Sequence, residues 1–293
     1  MRITGNRLID LAATSTTKNQ NAVAAASAEV SSGLRVAAPS DDPAAWLAAQ
    51  RTKLRQALSQ GTGAAVAAGR DQLALTDNAL ASLGDLVSQV RSLAIQGASD
   101  TYNPANRAGL GVQVRGLFRS ALDAANARDN AGEYLLAGAA SLTQPFDATG
   151  AYLGDASARA LPGEGSLTTG VTIPGTALTA ATPGGVDVLP LLDRVATALS
   201  TNDMTTLAAA LPDLATAVRQ ISSARTAAGG TMNVLDQATS ARAVLEQDVQ
   251  QTISRLVESD TVGAASELAR ATQALEVSRA VSSHIVAVLN PST

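Results

Sequence analysis

The chain has 293 residues, 46% of them hydrophobic but only 2% aromatic, so Ala, Leu and Val carry the apolar content and favour close helix contact over a thick globular core. Lys and Arg number 21 against 25 Asp and Glu, a net charge of −4 with no long basic run, which argues against a nucleic-acid partner. The absence of cysteine excludes disulfides and thiolate metal sites, and no stretch approaches the ~20 uninterrupted apolar residues of a membrane-spanning helix. The start, MRITGNRLIDLAATSTTKNQ, lacks the charged segment and apolar core of ~7–15 residues that a cleaved secretory signal needs. Composition and the N-terminus alone suggest a cytoplasmic protein.

In the first segment Ile9, Thr16, Val23 and Val30 recur at heptad spacing, with Gly5, Ala12, Asn19 and Ala26 as the second seam position. Half of that seam is polar or small, so the helix is marginal alone. Residues 31–50, SSGLRVAAPSDDPAAWLAAQ, then break the pattern. Gly33 suits a helix C-cap, and Asp42 followed by Pro43 suits an N-cap with proline at the first helical position. One helix is predicted to end near Ser32 and another to begin at Pro43. From Pro43 to about Ser99, Leu73, Leu80, Val87 and Ala94 alternate with Thr76, Leu83, Val90 and Gly97, which predicts one long helix with a sustained face.

DTYNPANR, residues 100–107, ends that helix and opens the next at Pro104. Leu110, Val114, Leu117, Ala121 and Ala124 predict an antiparallel return helix to about Asn130. From Gly138 to Gly185, Gly, Pro and Thr accumulate, helical periodicity vanishes, and runs such as SLTTGVTI predict strands. Helical sequence resumes at DVLPLLDRVATAL, continues through 204–227, and includes a second long periodic stretch from Thr231 to Glu258. In the last segment Ala264, Ala271, Ser278 and Ile285 alternate with Leu268, Leu275, Ser282 and Leu289. A single amphipathic helix cannot bury its own stripe, so the first helix is expected to pair with the last.

The expected fold is mainly α: an elongated antiparallel helical bundle or coiled coil built from both chain ends, with a small β-rich middle insert. Its expected domains are 1–40 with 253–293 as a terminal-helix domain, 41–134 with 188–252 as a helical rod, and 135–187 as the insert.

Residues for chemistry are few. His284 is the sole histidine, which makes a multi-histidine metal site or a Ser/His/Asp triad hard to build, and neither a GxGxxG after a strand nor a GxxxxGK[ST] occurs. Asp41 and Asp42 read better as helix caps than as an acid/base pair. Trp46 suits anchoring of the junction at least as well as stacking on a sugar. Arg51, Lys53 and Arg55 read as a solvated face. No enzyme activity, cofactor or metal is implied.

SSGLRVAAPSDDPAA resembles the SSG-R and SDDPA signature of the flagellin superfamily, where flagellins proper more often end in Lys-Asp-Asp-Ala, so Pro43 favours its hook–filament junction branch. VSQVRSLAIQGASDTYNPANRAGLGVQVRGL, residues 87–117, is similar to the helical-domain segment that both groups share. NAGEYLLAGAASLTQPF, residues 130–146, resembles the junction branch's exit from that domain, although Ala137–Ala139 lacks the usual glycine pair. ELARATQALEVSRAVSSHIVAVL, residues 267–289, looks like the family's terminal helix.

The resemblance implies a non-enzymatic adaptor that polymerises in a helical array and seats the filament. It implies neighbouring hook-associated protein and flagellin as partners, an export chaperone, no membrane insertion, and export to the flagellum without a cleaved signal, which reverses the cytoplasmic expectation. Leu8, Ile9, Val23, Val30, Leu268, Leu275, Ile285 and Leu289 are the expected assembly interface. Gly33, Asp41, Asp42 and Pro43 form the spoke between domains. Filament flagellin is the alternative, and a surface module whose insert binds carbohydrate is a rival from another class.

Overall fold

The computed structural model describes residues 2–162 and 168–289, with side-chain surroundings for 7–160 and 170–288. Among these, six helices dominate: α1 (Arg2–Ser32), α2 (Pro43–Gly97), α3 (Pro104–Ala125), α4 (Val188–Thr201), α5 (Met204–Val257) and α6 (Thr261–Leu289). They fall into two compact units, Met1–Ser59 with Ala243–Thr293, and Gln60–Arg242.

In the Gln60–Arg242 unit, the heptad series of α2 is the core. Leu73, Leu80, Leu83, Val87, Val90 and Ala94 are fully buried. Each large side chain removed from water in this way contributes roughly 1.5–3 kcal/mol. The polar member of the series, Thr76, donates its hydroxyl to the Gln72 carbonyl at 2.8 Å and so leaves no orphan group. Helices α3 and α4 pack together over this face, with Val114 and Phe118 meeting Leu192, Val195 and Leu199 in one cluster.

Helix α3 ends earlier than expected, at Ala125. Asn126 caps it through a backbone N–H to Leu122 O at 3.0 Å. Its side chain then donates to Phe146 O and accepts from Phe146 N, both at 3.0 Å, which fixes the following chain. The stretches 204–227 and 231–258 join into the single helix α5, which runs through Gly229 and Gly230. A mid-helix glycine costs about 1 kcal/mol, but the flanking Ala228 and Leu235 are buried with Leu73 and Val66 of α2, and that packing holds the helix together.

The β-rich middle insert is corrected by the structure. Among the described residues of 135–187, strand structure is one antiparallel pair, β1 (Ala160–Pro162) with β2 (Thr168–Gly170), three residues each. Of the described residues of SLTTGVTI, Thr168–Gly170 are strand and the next three are not, and its first two residues lie outside the described residues. Glycines and prolines recur too densely for a longer ladder to form. Turns replace it, closed by short polar side chains: Asp147 accepts from Thr149 N at 2.8 Å and Ala151 N at 2.9 Å, and Asp155 accepts from Ser157 N at 3.1 Å. The turns still bury Leu136, Phe146 and Leu178 in the helical core. Gly138 makes one of them possible: it has φ +69°, and a Cβ there would sit 2.0 Å from the Asp155 carbonyl oxygen.

Candidate assembly interface

The unit formed by Met1–Ser59 and Ala243–Thr293 carries all the interface and spoke residues expected from the sequence. Its first feature is the pairing of α1 with α6. The pair is antiparallel, because Glu29 meets Ser259 at one end whereas Thr16 meets Ser278 and Ser282 further along. Ala12, Thr16, Asn19, Val23 and Ala26 form the covered stripe of α1, opposite Ala264, Leu268, Ala271, Leu275, Ser278, Ser282 and Ile285 of α6. Polar seam residues satisfy one another: the Thr16 hydroxyl lies 3.1 Å from both serine hydroxyls, and Asn19 donates to Ala274 O at 3.2 Å. Such a seam is held in register but weakly, since little apolar area is buried.

Apolar side chains also stand on the outer sides of the pair, among polar ones. Leu8, Leu11, Val277, Val281 and Ile285 line a groove of about 610 Å³. Ile9, Ile285 and Val286 line another of about 370 Å³ on α1 and α6. Leu11 is 68% exposed and Val281 51%, unusual values for branched aliphatic side chains grouped on one surface. Of the expected interface residues, Leu8, Ile9 and Val30 are exposed, while Val23, Leu268, Leu275 and Ile285 are half-buried in or beside the seam. The Leu289 side chain lies outside the described residues. Heptad counting missed Leu11, Val277, Val281 and Val286, because it finds the stripe that one helix turns to its partner and not the faces left over.

The second feature is the pair of breaks. Helix α1 ends at Ser32, and Gly33 follows at φ +68°, its N–H returning to Glu29 O at 2.9 Å. Pro43 opens α2, and Asp42 caps it by accepting from Ala45 N at 3.0 Å. That N–H, with help from Arg35 at 3.5 Å, holds the Asp42 carboxyl below the usual carboxylate range. Asp41 accepts from Ala38 N at 2.8 Å and Ala37 N at 3.0 Å, and these two N–H groups depress its pKa also.

The connection is laced to the other break, between α5 and α6. Arg35 N donates to Val257 O at 2.8 Å, Ser259 N to Gly33 O at 2.9 Å, and the Arg35 guanidinium to Leu256 O at 2.8 Å. The guanidinium satisfies a terminal carbonyl of α5 with the charge that its dipole favours. Val36, Ala45, Ala49, Ile253 and Val257 form a small buried cluster there, and Trp46 packs on it. Gly33, Asp41, Asp42 and Pro43 thus each set backbone geometry at the break. Arg35 and Ser259, which tie the two breaks together, were not singled out from the sequence because neither stands in a capping pattern.

His284 is exposed on α6, and among the described residues no group of three His, Asp or Glu is placed to hold a metal ion. No described helix is long and apolar enough to cross a membrane. The arrangement offers apolar helix surface and defined chain breaks.

Residues 5–141 match the family model described as the bacterial flagellin N-terminal helical region. The flagellar hook-associated protein 3 of Salmonella typhimurium is 31% identical over 129 residues, which are 43% of this chain and 40% of that relative. The matched part thus spans about two fifths of that curated relative. Two crystal structures share the fold. The flagellar hook-associated protein-3 of Legionella pneumophila is 16% identical with a TM-score of 0.61, covering 71% of this chain and 98% of its own. A Xanthomonas campestris FlgL is 19% identical with a TM-score of 0.60, covering 70% of this chain and 99% of its own.

Proposed function

We propose that this chain, whose residues 5–141 match the model of the bacterial flagellin N-terminal helical region, is a structural, non-enzymatic subunit of the bacterial flagellum, the adaptor of the hook–filament junction. The observation that carries the mechanism is the α1–α6 pair with apolar grooves left open on its outer surface. A helix pair built this way covers its grooves with the terminal pairs of neighbouring copies, and a heterologous contact that does not close on itself propagates into a helical array. Leu8, Ile9, Val23, Val30, Leu268, Leu275, Ile285 and Leu289 are the proposed interface, joined by Leu11, Val277 and Val281.

The connection with Gly33, Asp41, Asp42 and Pro43 is the proposed spoke, separating terminal segments 1–40 and 253–293 from a rod of 41–134 with 188–252, and residues 135–187 form an outer insert. Neighbouring hook-associated protein and flagellin are the proposed axial partners. An export chaperone and export without a cleaved signal belong to the same reading. Filament flagellin is the alternative, favoured by the breadth of the family match, while the relative with 31% identity is a hook-associated protein.

The test is Leu11→Asp with Val281→Asp. Both side chains are exposed in the single chain, so the variant is expected to keep its helical content by circular dichroism while losing incorporation into flagella. Wild-type incorporation of the double variant would sink the groove mechanism.

A further inference from the structure

We infer that His284 makes assembly through the α1–α6 pair sensitive to pH, full while the imidazole is neutral and weakened once it is protonated. This rests on the reading that copies of the chain cover one another's terminal grooves, and it names how that contact is regulated. Val277, Val281, His284 and Val288 follow one another at steps of four, three and four residues, so they form one stripe along α6. The stripe is not the one that faces α1, which runs through Ser278, Ser282 and Ile285. Val277 and Val281 line the larger groove, and all three valines are more than half exposed. His284, the only histidine in the chain, holds the position after Val281 and is exposed as well.

Among the described residues, none is placed to balance a proton added there. Helix α1 is the element packed along α6, and its antiparallel course brings Leu8 and Leu11 to the level of His284. The charged residues on the Leu11 side of α1 are Arg7, four positions before Leu11, and Lys18, seven after it, both basic. Asp10 precedes the seam residue Ala12 by two positions, which turns it to the far side of α1. On α6, Arg270 lines the larger groove, Glu276 and Arg279 are turned off the stripe, and Glu267 lies about 25 Å away along the helix. Neither of the two grooves is lined by a described carboxylate, so a neighbouring copy seated through its own groove face brings none to His284.

A neutral imidazole can be covered by the valines and leucines of a neighbouring copy. An imidazolium in the same place loses its hydration and gains no partner, so the covered state holds the ring neutral. Assembly is therefore complete above the pH at which an imidazole in water titrates, and falls as pH drops through it. Imidazole is the one side chain whose charge ordinarily changes between about pH 5 and pH 8, and this chain has a single one. About one pH unit below the ordinary imidazole value of about 6.5, excluding the proton weakens association about tenfold.

The test is the critical concentration for assembly of the full chain, measured by light scattering and sedimentation at about pH 7.5 and about pH 5.5. The parent chain is expected to need about ten times more protein at the lower pH. His284→Leu keeps every other titratable group and is expected to assemble alike at both, with helical content checked by circular dichroism. His284→Lys carries a lasting charge and is expected to assemble poorly at both. A parent chain that assembles equally well or better at the lower pH overturns the inference, and so does the same loss in His284→Leu; either result leaves the terminal-groove reading standing. Failure of the parent chain to assemble at about pH 7.5 overturns the self-assembly reading, and the role of His284 with it.

Discussion

Arg107→Met tests how the Gln60–Arg242 unit closes its helix ends. Arg107 is 8% exposed and lies in the first turn of α3. Its Nε donates at 2.8 Å to Gly97 O, the last carbonyl of α2, and one terminal nitrogen donates at 3.0 Å to Ser99 O in the turn that follows. The other terminal nitrogen donates at 2.8 Å to Asn202 Oδ1, the left-handed C-cap of α4. One side chain therefore ties the ends of α2 and α4 to the start of α3. Methionine keeps the apolar stem and removes all three donors. Gly97 O is the buried acceptor left unpaired, at about 1–3 kcal/mol, while Ser99 O keeps the Tyr102 N–H at 3.2 Å and Asn202 is exposed; no longer burying a charge offsets part of the cost, which leaves a net loss of about 1–2 kcal/mol. At a urea dependence of roughly 2–3 kcal/mol/M, the unfolding midpoint by circular dichroism falls by about 0.5 M. Fluorescence of Trp46, the sole tryptophan and a member of the other unit, gives a second probe of the same titration. A midpoint unchanged from the parent chain would refute the reasoning.

Two further predictions concern backbone and charge. Gly138→Ala should lower stability by about 1–3 kcal/mol, because it adds left-handed strain to a clash with the Asp155 carbonyl, while Gly132→Ala, at φ +83° with open space around it, should cost only about 1 kcal/mol; equal melting temperatures for the two variants would contradict the clash. Asp41 and Asp42 have depressed pKa values in the fold, so their contribution is present above the unfolded aspartate value of about 3.9 and lost as pH falls through the lower folded values. Melting temperatures followed by Trp46 fluorescence should therefore drop as pH falls below about 4, and Asp41→Ala/Asp42→Ala should flatten that drop; the same pH dependence in parent and variant would remove these carboxylates from the account.

Much of the fold is legible because its determinants are local. Gly33 and the Asp42–Pro43 pair mark the first break through conformational preferences that neighbours do not override. The α2 series from Leu73 to Ala94 is buried as its spacing predicts, and the α6 seam and the α1 seam from Ala12 to Ala26 fall on the expected heptads, whereas Ile9 and Val30 are exposed; Thr16 and Asn19 find hydrogen bonds across the pair. What was not legible depends on distant partners. Arg107 and Arg35 look like ordinary surface bases until the fold brings helix-end carbonyls to them. Phe118 falls outside the heptad count but belongs to the α3 core, one turn from Val114 and Ala121 in the cluster that includes Leu192 and Val195 of α4. The insert misled for the opposite reason. Its strand-forming valines and threonines are real, but closely spaced turns leave them no length in which to pair.

In the proposed interface the covered face was readable and the open one only at Leu8 and Ile9. Heptad spacing located Leu268, Leu275 and Ile285, while Leu11, Val277 and Val281 emerge only after the partner helix has taken its side.

The most direct measurement is immunogold labelling of isolated flagella with antibody against residues 138–185. The account predicts a single band where hook meets filament. Label along the whole filament would contradict it and make the chain a flagellin.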